Sequence, residues 1–257
     1  MRQTISHFFQ KEVSEKVRLL NISFSDEMIL QLKETIEKEN KNQYIIWLTW
    51  TIWSWKSYIA NQLTKEWQAL GYNIHNIDLD SIGHELLMYS DSVLAKETRR
   101  KITHEFWEDV LENDWSINKQ KLSEIVFSSQ EKLDVLNKMM RKPMILRTLK
   151  KIEDKEGIII LNGAIICDFD RTIMCNNKIV FIDTDEHTRI QRIMERDGID
   201  RQKAVQKSNA QLWTKDKINK LSKKIDEFDY GDSIVFENDQ PDYEDIQKLL
   251  SNIVEKI

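Results

Sequence analysis

Residues Tyr44 to Tyr58 read Y-I-I-W-L-T-W-T-I-W-S-W-K-S-Y, with four tryptophans between Trp47 and Trp55. An apolar run of strand character, Y-I-I-W-L-T, leads in. An amphipathic pattern, K-S-Y-I-A-N-Q-L-T-K-E-W-Q-A-L, leads out towards Gly71. A strand feeding straight into a helix is the start of a βα unit, so the turn between them decides the fold. The whole chain shares the oddity of this stretch. It has 6 Gly and 8 Trp, where an average chain of its length would hold roughly 18 Gly.

The turn W-T-I-W-S-W-K-S, Trp50 to Ser57, has the spacing of a phosphate-binding loop, G-x-x-x-x-G-K-[ST]. Thr51, Ile52, Trp53 and Ser54 fill the variable places, and Lys56 and Ser57 the last two. Trp50 and Trp55 stand where the glycines belong. Those glycines allow positive φ and let backbone N–H groups approach phosphate oxygens. An indole at either place disfavours the conformation and blocks the anion. Taken literally, the chain binds nucleoside triphosphate poorly or not at all.

Reading Gly for Trp throughout restores the pattern. The loop becomes I-I-G-L-T-G-T-I-G-S-G-K-S, the helix end T-K-E-G-Q-A-L-G-Y, and the middle H-E-F-G-E-D-V-L-E-N-D-G-S-I-N. Asp-Gly before Ser is a strong turn signal, whereas Asp-Trp is none. Six or seven of the eight sites improve, and Trp213 is uninformative. Some bacterial lineages decode UGA as glycine, and other codes decode it as tryptophan. The expectation is an alternative genetic code, with glycine codons written as Trp. A buried aromatic cluster is the competing account. It covers one or two tryptophans, not four on the glycine places of one loop.

From Tyr44 onward, strands and helices alternate. Further strands are predicted at Y-N-I-H-N-I-D, G-I-I-I-L-N, K-I-V-F-I-D-T and D-S-I-V-F-E-N, with helical patterns between. P-D-Y-E-D-I-Q-K-L-L-S-N-I-V closes the chain, Pro241 near the helix start. This order implies an α/β fold with a parallel five-stranded sheet covered on both faces. Residues 1–42 read as a helical N-terminal extension. Met28, Ile29, Leu32 and Ile36 recur at helical spacing, and Ser25 is placed to cap. The Met139-Met140 pair and the apolar periodicity of 131–149 read as helix core.

With 40% hydrophobic and 32% charged residues and a net charge of −5, the composition is that of an ordinary globular chain. It gives no general reason to expect nucleic-acid or membrane partners. No apolar run reaches the ~18 residues of a membrane span, and the N-terminus lacks an apolar export segment. Cys167 and Cys175 have no metal-type partners nearby, so the expected location is a reduced cytoplasm.

With glycine at the Trp positions, residues 44 to about 255 resemble the dephospho-CoA kinase family of P-loop kinases. L-T-W-T-I-W-S-W-K-S is similar to the family's L-T-G-G-I-G-S-G-K-S. N-I-D-L-D-S-I-G-H-E-L-L is similar to its I-D-A-D-x-I-A-H-E-L. F-W-E-D-V-L-E-N-D-W-S-I-N-K-Q-K-L-S-E-I-V-F resembles its F-G-x-x-I-L-x-x-D-G-x-I-N-R-x-x-L-x-x-I-V-F. R-I-Q-R-I-M-E-R-D-G-I-D resembles the start of its lid, and E-N-D-Q-P-D-Y-E-D-I its I-x-N-x-G-x-x-x-E region. Departures occur where the family's H-P-L-I reads Lys142-Pro143-Met144-Ile145, and where its P-L-L reads Gly163-Ala164-Ile165. Residues 1–42 have no counterpart.

The resemblance implies a three-layer P-loop NTPase fold over 43–257, with a helical acceptor-binding region at about 84–150 and a lid at about 189–225. It implies transfer of the ATP γ-phosphate to the 3′-hydroxyl of dephospho-CoA, the last step of coenzyme A synthesis, with Mg²⁺. The ATP-binding candidates are Trp50, Thr51, Ile52, Trp53, Ser54, Trp55, Lys56, Ser57, Tyr58 and Asn238. Lys56 would bridge the β- and γ-phosphates and Ser57 would ligate the metal. Asp80 is expected to end the second strand and act on the acceptor hydroxyl as base or orienter. Asp78, turned the same way, is either a second acceptor contact or a helix cap. His84 and Glu85 follow as acceptor contacts, or as capping or surface groups. Arg192 and Arg196 are the catalytic lid arginines, on one helix face with Arg189, which reads as part of a solvated basic face paired with Glu186 and Glu195.

Two other readings stay open at this point. One is another P-loop nucleotide or small-molecule kinase. The other, if the loop tryptophans are real, is a catalytically dead P-loop binding protein. The N-terminal helices would serve oligomerisation or partner docking, and the oligomeric state is open.

Overall fold

The computed structural model describes residues 43–50, 56–107, 110–163, 178–209, 216, 219, 222–223, 232–237 and 243–254. The predicted N-terminal helix, loop residues 51–55, Ala164 and Ile165, Asn238, Pro241 and most of 210–225 lie outside them. So do both cysteines, and the side chains of Trp50, Lys56, Ser57, Tyr58 and Arg196.

Five strands form one parallel sheet: β1 (Gln43–Trp50), β2 (Ile74–Asp78), β3 (Gly157–Asn162), β4 (Lys178–Asp183) and β5 (Asp232–Glu237). Their order is β2-β3-β1-β4-β5, which puts β1 in the centre. β1 runs parallel to β3, with Leu48 opposite Asn162, and to β4, with Trp50 opposite Ile182. β4 pairs with β5 in the same sense. The predicted strands are all present: β3 keeps its predicted bounds, β1 is one residue longer at each end, β2 begins two residues later, and β4 ends one residue earlier.

Period-two alternation sorts the strand residues between the faces. Ile46, Leu48, Ile158, Ile160, Val180 and Ile182 pack with Ile59, Leu63 and Trp67 of α1 (Lys56–Ala69) and Ile246, Leu249 and Ile253 of α8 (Tyr243–Val254). Ile45, Trp47, Ile159, Leu161, Ile179 and Phe181 are as deeply buried on the other face. Burial on both faces is why these strands read as unbroken apolar runs. Each fully buried aliphatic side chain contributes roughly 1.5–3 kcal/mol.

Gly157 begins β3 at φ +90, where Ile158 N–H donates to Asn73 O at 2.8 Å. A Cβ at Gly157 would lie 2.2 Å from that carbonyl oxygen, so only glycine fits. After β4, α6 (Glu186–Asp197) is capped by Asp185 and packs Ile190 and Ile193 against Ala204 of α7 (Arg201–Asn209).

The chain divides into two compact units, and the sheet with its flanking helices belongs to the one formed by Asn40–Ile77 and Lys155–Ile257. Asp78–Asp154 belong to the other unit, which is helical. It contains α2 (Leu79–Leu87), α3 (Val93–Phe106), α4 (Lys119–Val126) and the long α5 (Gln130–Ile152). Ile102, Phe106, Val110, Ile117, Leu122 and Val126 make its core, with Met139 and Met140 packed against them as the periodicity predicts. α5 continues through Pro143, whose ring nitrogen offers no N–H to the helix.

One further boundary differs from the sequence reading. β2 ends at Asp78, and Asp80 lies in the first turn of α2 rather than at the strand end. The cause is local: the Asp78 carboxylate accepts from Asp80 N at 2.9 Å and Ser81 N at 3.4 Å and so starts the helix.

Two tryptophans take glycine-like backbones. Trp107 closes α3 at φ 72, ψ 163, and Trp115 lies at φ 66. They are the two non-glycine residues with positive φ among the described residues. Their side chains are 75% and 70% exposed, so no packing of the indoles offsets the strain. Trp115 sits in the predicted Asp-Trp-Ser turn. There Asp114 accepts from Ser116 N (2.9 Å) and Ser116 Oγ (2.6 Å), which holds its carboxyl below the usual range.

Candidate functional site

The central strand β1 ends at Trp50 and α1 opens at Lys56. The predicted phosphate loop therefore joins the carboxyl end of the central strand to a helix N-terminus. This is where open α/β sheets bind ligands. The first turn of α1 carries no acidic residue and begins with Lys56-Ser57. Its unpaired N–H groups and the positive end of the helix dipole favour an anion there.

Neighbouring strands bring two further groups to the same sheet edge. At the end of β4, Asp183 Oδ1 accepts from Thr184 N at 2.9 Å. Thr184 is buried, and its hydroxyl oxygen receives Nη1 of Arg192 from α6 at 3.4 Å. Arg192 is thus held on the strand next to the one that feeds the loop. Arg189 is different. It is buried, and Nε donates to Ser208 Oγ at 2.9 Å, tying α6 to α7, so it does not lie on the solvated basic face expected of it. Arg196 lies on α6 in the backbone trace.

The other addition was not read from the sequence. Asn162 ends β3 opposite Leu48, is 2% exposed, and its Oδ1 has no hydrogen-bond partner among the described residues. The available signal was one polar residue at the carboxyl end of I-I-I-L-N.

Within the helical unit, Asp78 is the N-cap of α2 and Asp80 is exposed in its first turn. His84 is exposed, with Lys119 Nζ donating to its Nε2 at 3.1 Å. Glu85 is clamped by α5. Arg147 reaches Oε2 through Nη2 at 3.0 Å and Nε at 3.2 Å, and Lys151 closes on Oε1. Burial opposes the charge of Glu85, yet the hydrogen bonds from Lys151 and Arg147 outweigh it and hold the carboxyl below its ordinary value. Arg147 and Lys151 recur at i, i+4 on α5, a spacing the sequence displays, but nothing in it points to Glu85 as the partner.

A cavity of about 510 Å³ opens between α3 and α5, lined by Arg100, Lys101, His104 and Glu105 on one side and Val135, Lys138 and Met139 on the other. Burial pushes the Lys101 ammonium below its ordinary value, partly countered by Glu97. Arg100 is paired with Glu97 at the rim. Among the described residues no helix is long and apolar enough to cross a membrane.

The family model described as dephospho-CoA kinase matches residues 44–227. A dephospho-CoA kinase of Fusobacterium nucleatum is 28% identical over 215 residues, covering 83% of this chain and 98% of the relative. Another, of Carboxydothermus hydrogenoformans, is 30% identical over 186 residues, 71% of this chain and 84% of the relative. The crystal structure of TT1252 from Thermus thermophilus is similar in fold, with a TM-score of 0.58 at 18% identity. It covers 84% of this chain and 98% of that one.

Proposed function

The chain belongs to the dephospho-CoA kinase family, and on that premise we propose that it transfers the γ-phosphate of ATP to the 3′-hydroxyl of dephospho-CoA, the last step of coenzyme A synthesis, in the cytoplasm. The observation that carries this reading is the family match across 44–227. That range takes in the loop, the helical unit and α6.

The acceptor oxygen bonds to the γ-phosphorus as the bond to the β–γ bridging oxygen breaks, and the hydroxyl proton passes to Asp80. Lys56 holds the β- and γ-phosphates from the head of α1. Arg192 and Arg196 neutralise the transferring group from α6, and Asn238 would contact the adenine. When bound, Mg²⁺ supplies charge neutralisation across the β- and γ-phosphates. Ser57 would hold it, and few protein ligands are needed, since Mg²⁺ keeps several waters and binds largely through substrate phosphates. ADP release should appear with dephospho-CoA and not with nucleosides or nucleoside monophosphates. Turnover with one of the latter in place of dephospho-CoA would overturn the assignment.

The same reading requires glycine in the loop. We infer that the Trp positions of this chain are glycine codons. The loop spacing supports it, and so do the positive φ angles of Trp107 and Trp115. Trp67 adds to this, being fully buried with its indole N–H unpartnered. Trp47 points the other way, being buried with Nε1 donating to Gly163 O at 3.0 Å. UGA codons at 50, 53 and 55, and glycine at those positions by peptide mass spectrometry of the protein from its native host, are the expected results. UGG at all three would favour a dead P-loop binding protein instead.

A further inference from the structure

We propose that the cavity between α3 and α5 is a ligand site of its own, which takes a small organic phosphate, its anionic group at the basic rim and its apolar group on the floor. None of the lining residues is among those assigned to ATP or to the acceptor. The chemistry of the cavity is the same whether or not the chain is a kinase.

Helix spacing builds the walls. Arg100, Lys101, His104 and Glu105 recur at three- and four-residue steps and so share one face of α3. Val135, Lys138 and Met139 do the same on α5. The two stripes border about 510 Å³, a volume in the range of ligand pockets. The floor is held in place, because Val135 and Met139 pack on the core that includes Ile102 and Phe106.

The charge of the cavity is opposite to that of the chain. The chain carries a net −5, yet Arg100, Lys101 and Lys138 line the cavity with Glu105 as its one acid, and His104 adds a ring N–H. Arg100 is engaged by Glu97, Nε to Oε2 at 3.0 Å. His104 and Lys138 have no hydrogen-bond or ion-pair partner among the described residues. Lys101 is half-buried, and burial pushes its ammonium down despite the countering charge of Glu97. Cations gathered at a partly desolvated opening favour a bound anion. Bare phosphate would leave Val135 and Met139 wetted, so a phosphate ester with an apolar substituent fits the lining better. The candidate acceptor contacts are elsewhere in the same unit, on α2. There α5 reaches Glu85 through Arg147, roughly 13 Å further along the helix axis than Lys138.

Phenyl phosphate and inorganic phosphate are the probes, titrated into the full chain with ¹³C-labelled methionine methyl groups. The Met139 methyl, assigned by its loss in Met139→Leu, reports binding at this cavity and not at the phosphate loop. Its NMR signal should shift and saturate with phenyl phosphate, and inorganic phosphate should bind roughly tenfold more weakly. Lys101→Gln and Lys138→Gln should each weaken phenyl phosphate about tenfold, the effect of one charge-assisted hydrogen bond, without lowering the unfolding midpoint of the free protein. Lys138 is exposed, so its variant decides the matter should Lys101→Gln not fold. A Met139 signal that does not move, or unchanged affinity in Lys138→Gln, overturns the proposal. Inorganic phosphate binding as tightly as phenyl phosphate overturns it as well. Displacement of phenyl phosphate by dephospho-CoA would make the cavity part of the acceptor site and overturn its independence.

Discussion

Arg147 directs Nε and Nη2 to one carboxylate oxygen of Glu85, at 3.2 and 3.0 Å, while Lys151, one turn further along the same helix, takes the other oxygen. Glu85 thereby fastens α2 to α5 inside the helical unit. Glu85 and its two partners are each about one-third exposed, so solvent screening limits the gain. Glu85→Gln is expected to cost about 1 kcal/mol at neutral pH. The folded-state pKa is lowered from 4.5. The stabilisation is therefore complete above the unfolded-state value and is lost as pH falls through the lower folded-state value. Urea unfolding of both proteins across that range should show the gap closing below pH 4.5 and constant above it. A rise in KM for dephospho-CoA in the same variant would add an acceptor contact to this structural role. An unchanged KM leaves Glu85 as the tie alone.

Trp107 and Trp115 offer a stability test of the decoding inference that does not involve activity. Backbone at positive φ strains any side chain, and Trp107, with ψ 163, lies in a region essentially reserved for glycine. Trp107→Gly should stabilise the chain by about 1 kcal/mol, the relief of strain exceeding the entropy cost of glycine. Trp115→Gly should act in the same direction. A lower denaturation midpoint in both variants would count against glycine at these positions.

Much of the fold was legible because the strands are buried on both faces and so read as apolar runs bounded by turn residues. The strand order was not, since pairing of β3 between β2 and β1 depends on a crossover through Asp78–Asp154 that no local pattern encodes. The phosphate loop was legible in spite of its letters, because Lys56-Ser57 and the spacing back to Trp50 survive any change at the glycine places. Asp80 was misplaced by two residues because a capping aspartate and a strand-ending aspartate look alike in I-D-L-D-S. Asn162 was overlooked for a different reason. Its significance lies in an unpaired oxygen and a neighbouring strand, neither of which is written in sequence.

The three arginines of α6 should separate by function. Arg189 is buried against Ser208, so Arg189→Ala is expected to cost about 1–3 kcal/mol by leaving the hydroxyl unpaired. Arg196→Ala should lower turnover about 10²-fold, the loss of one electrostatic contact to the transferring group, with little change in unfolding free energy. Turnover and urea midpoints measured on both variants check this. Unchanged turnover in Arg196→Ala removes that residue from the site.

Asp78 and Asp80 should part in the opposite sense, although they are two residues apart. Asp78 spends its carboxylate on the N–H groups of Asp80 and Ser81. Its removal exposes the helix start, so Asp78→Ala should cost about 1 kcal/mol and leave kcat within a few-fold. Asp80 contributes its backbone N–H to that cap, and its exposed carboxylate is the proposed base. Asp80→Asn keeps the shape and removes the base. It should therefore fold normally and lose about 10²–10⁴-fold in kcat, with the affinity for ATP retained. Were Asp78→Ala the inactive variant and Asp80→Asn the unstable one, the proton acceptor would have to be reassigned to the strand end. The helix start would then depend on Asp80 instead.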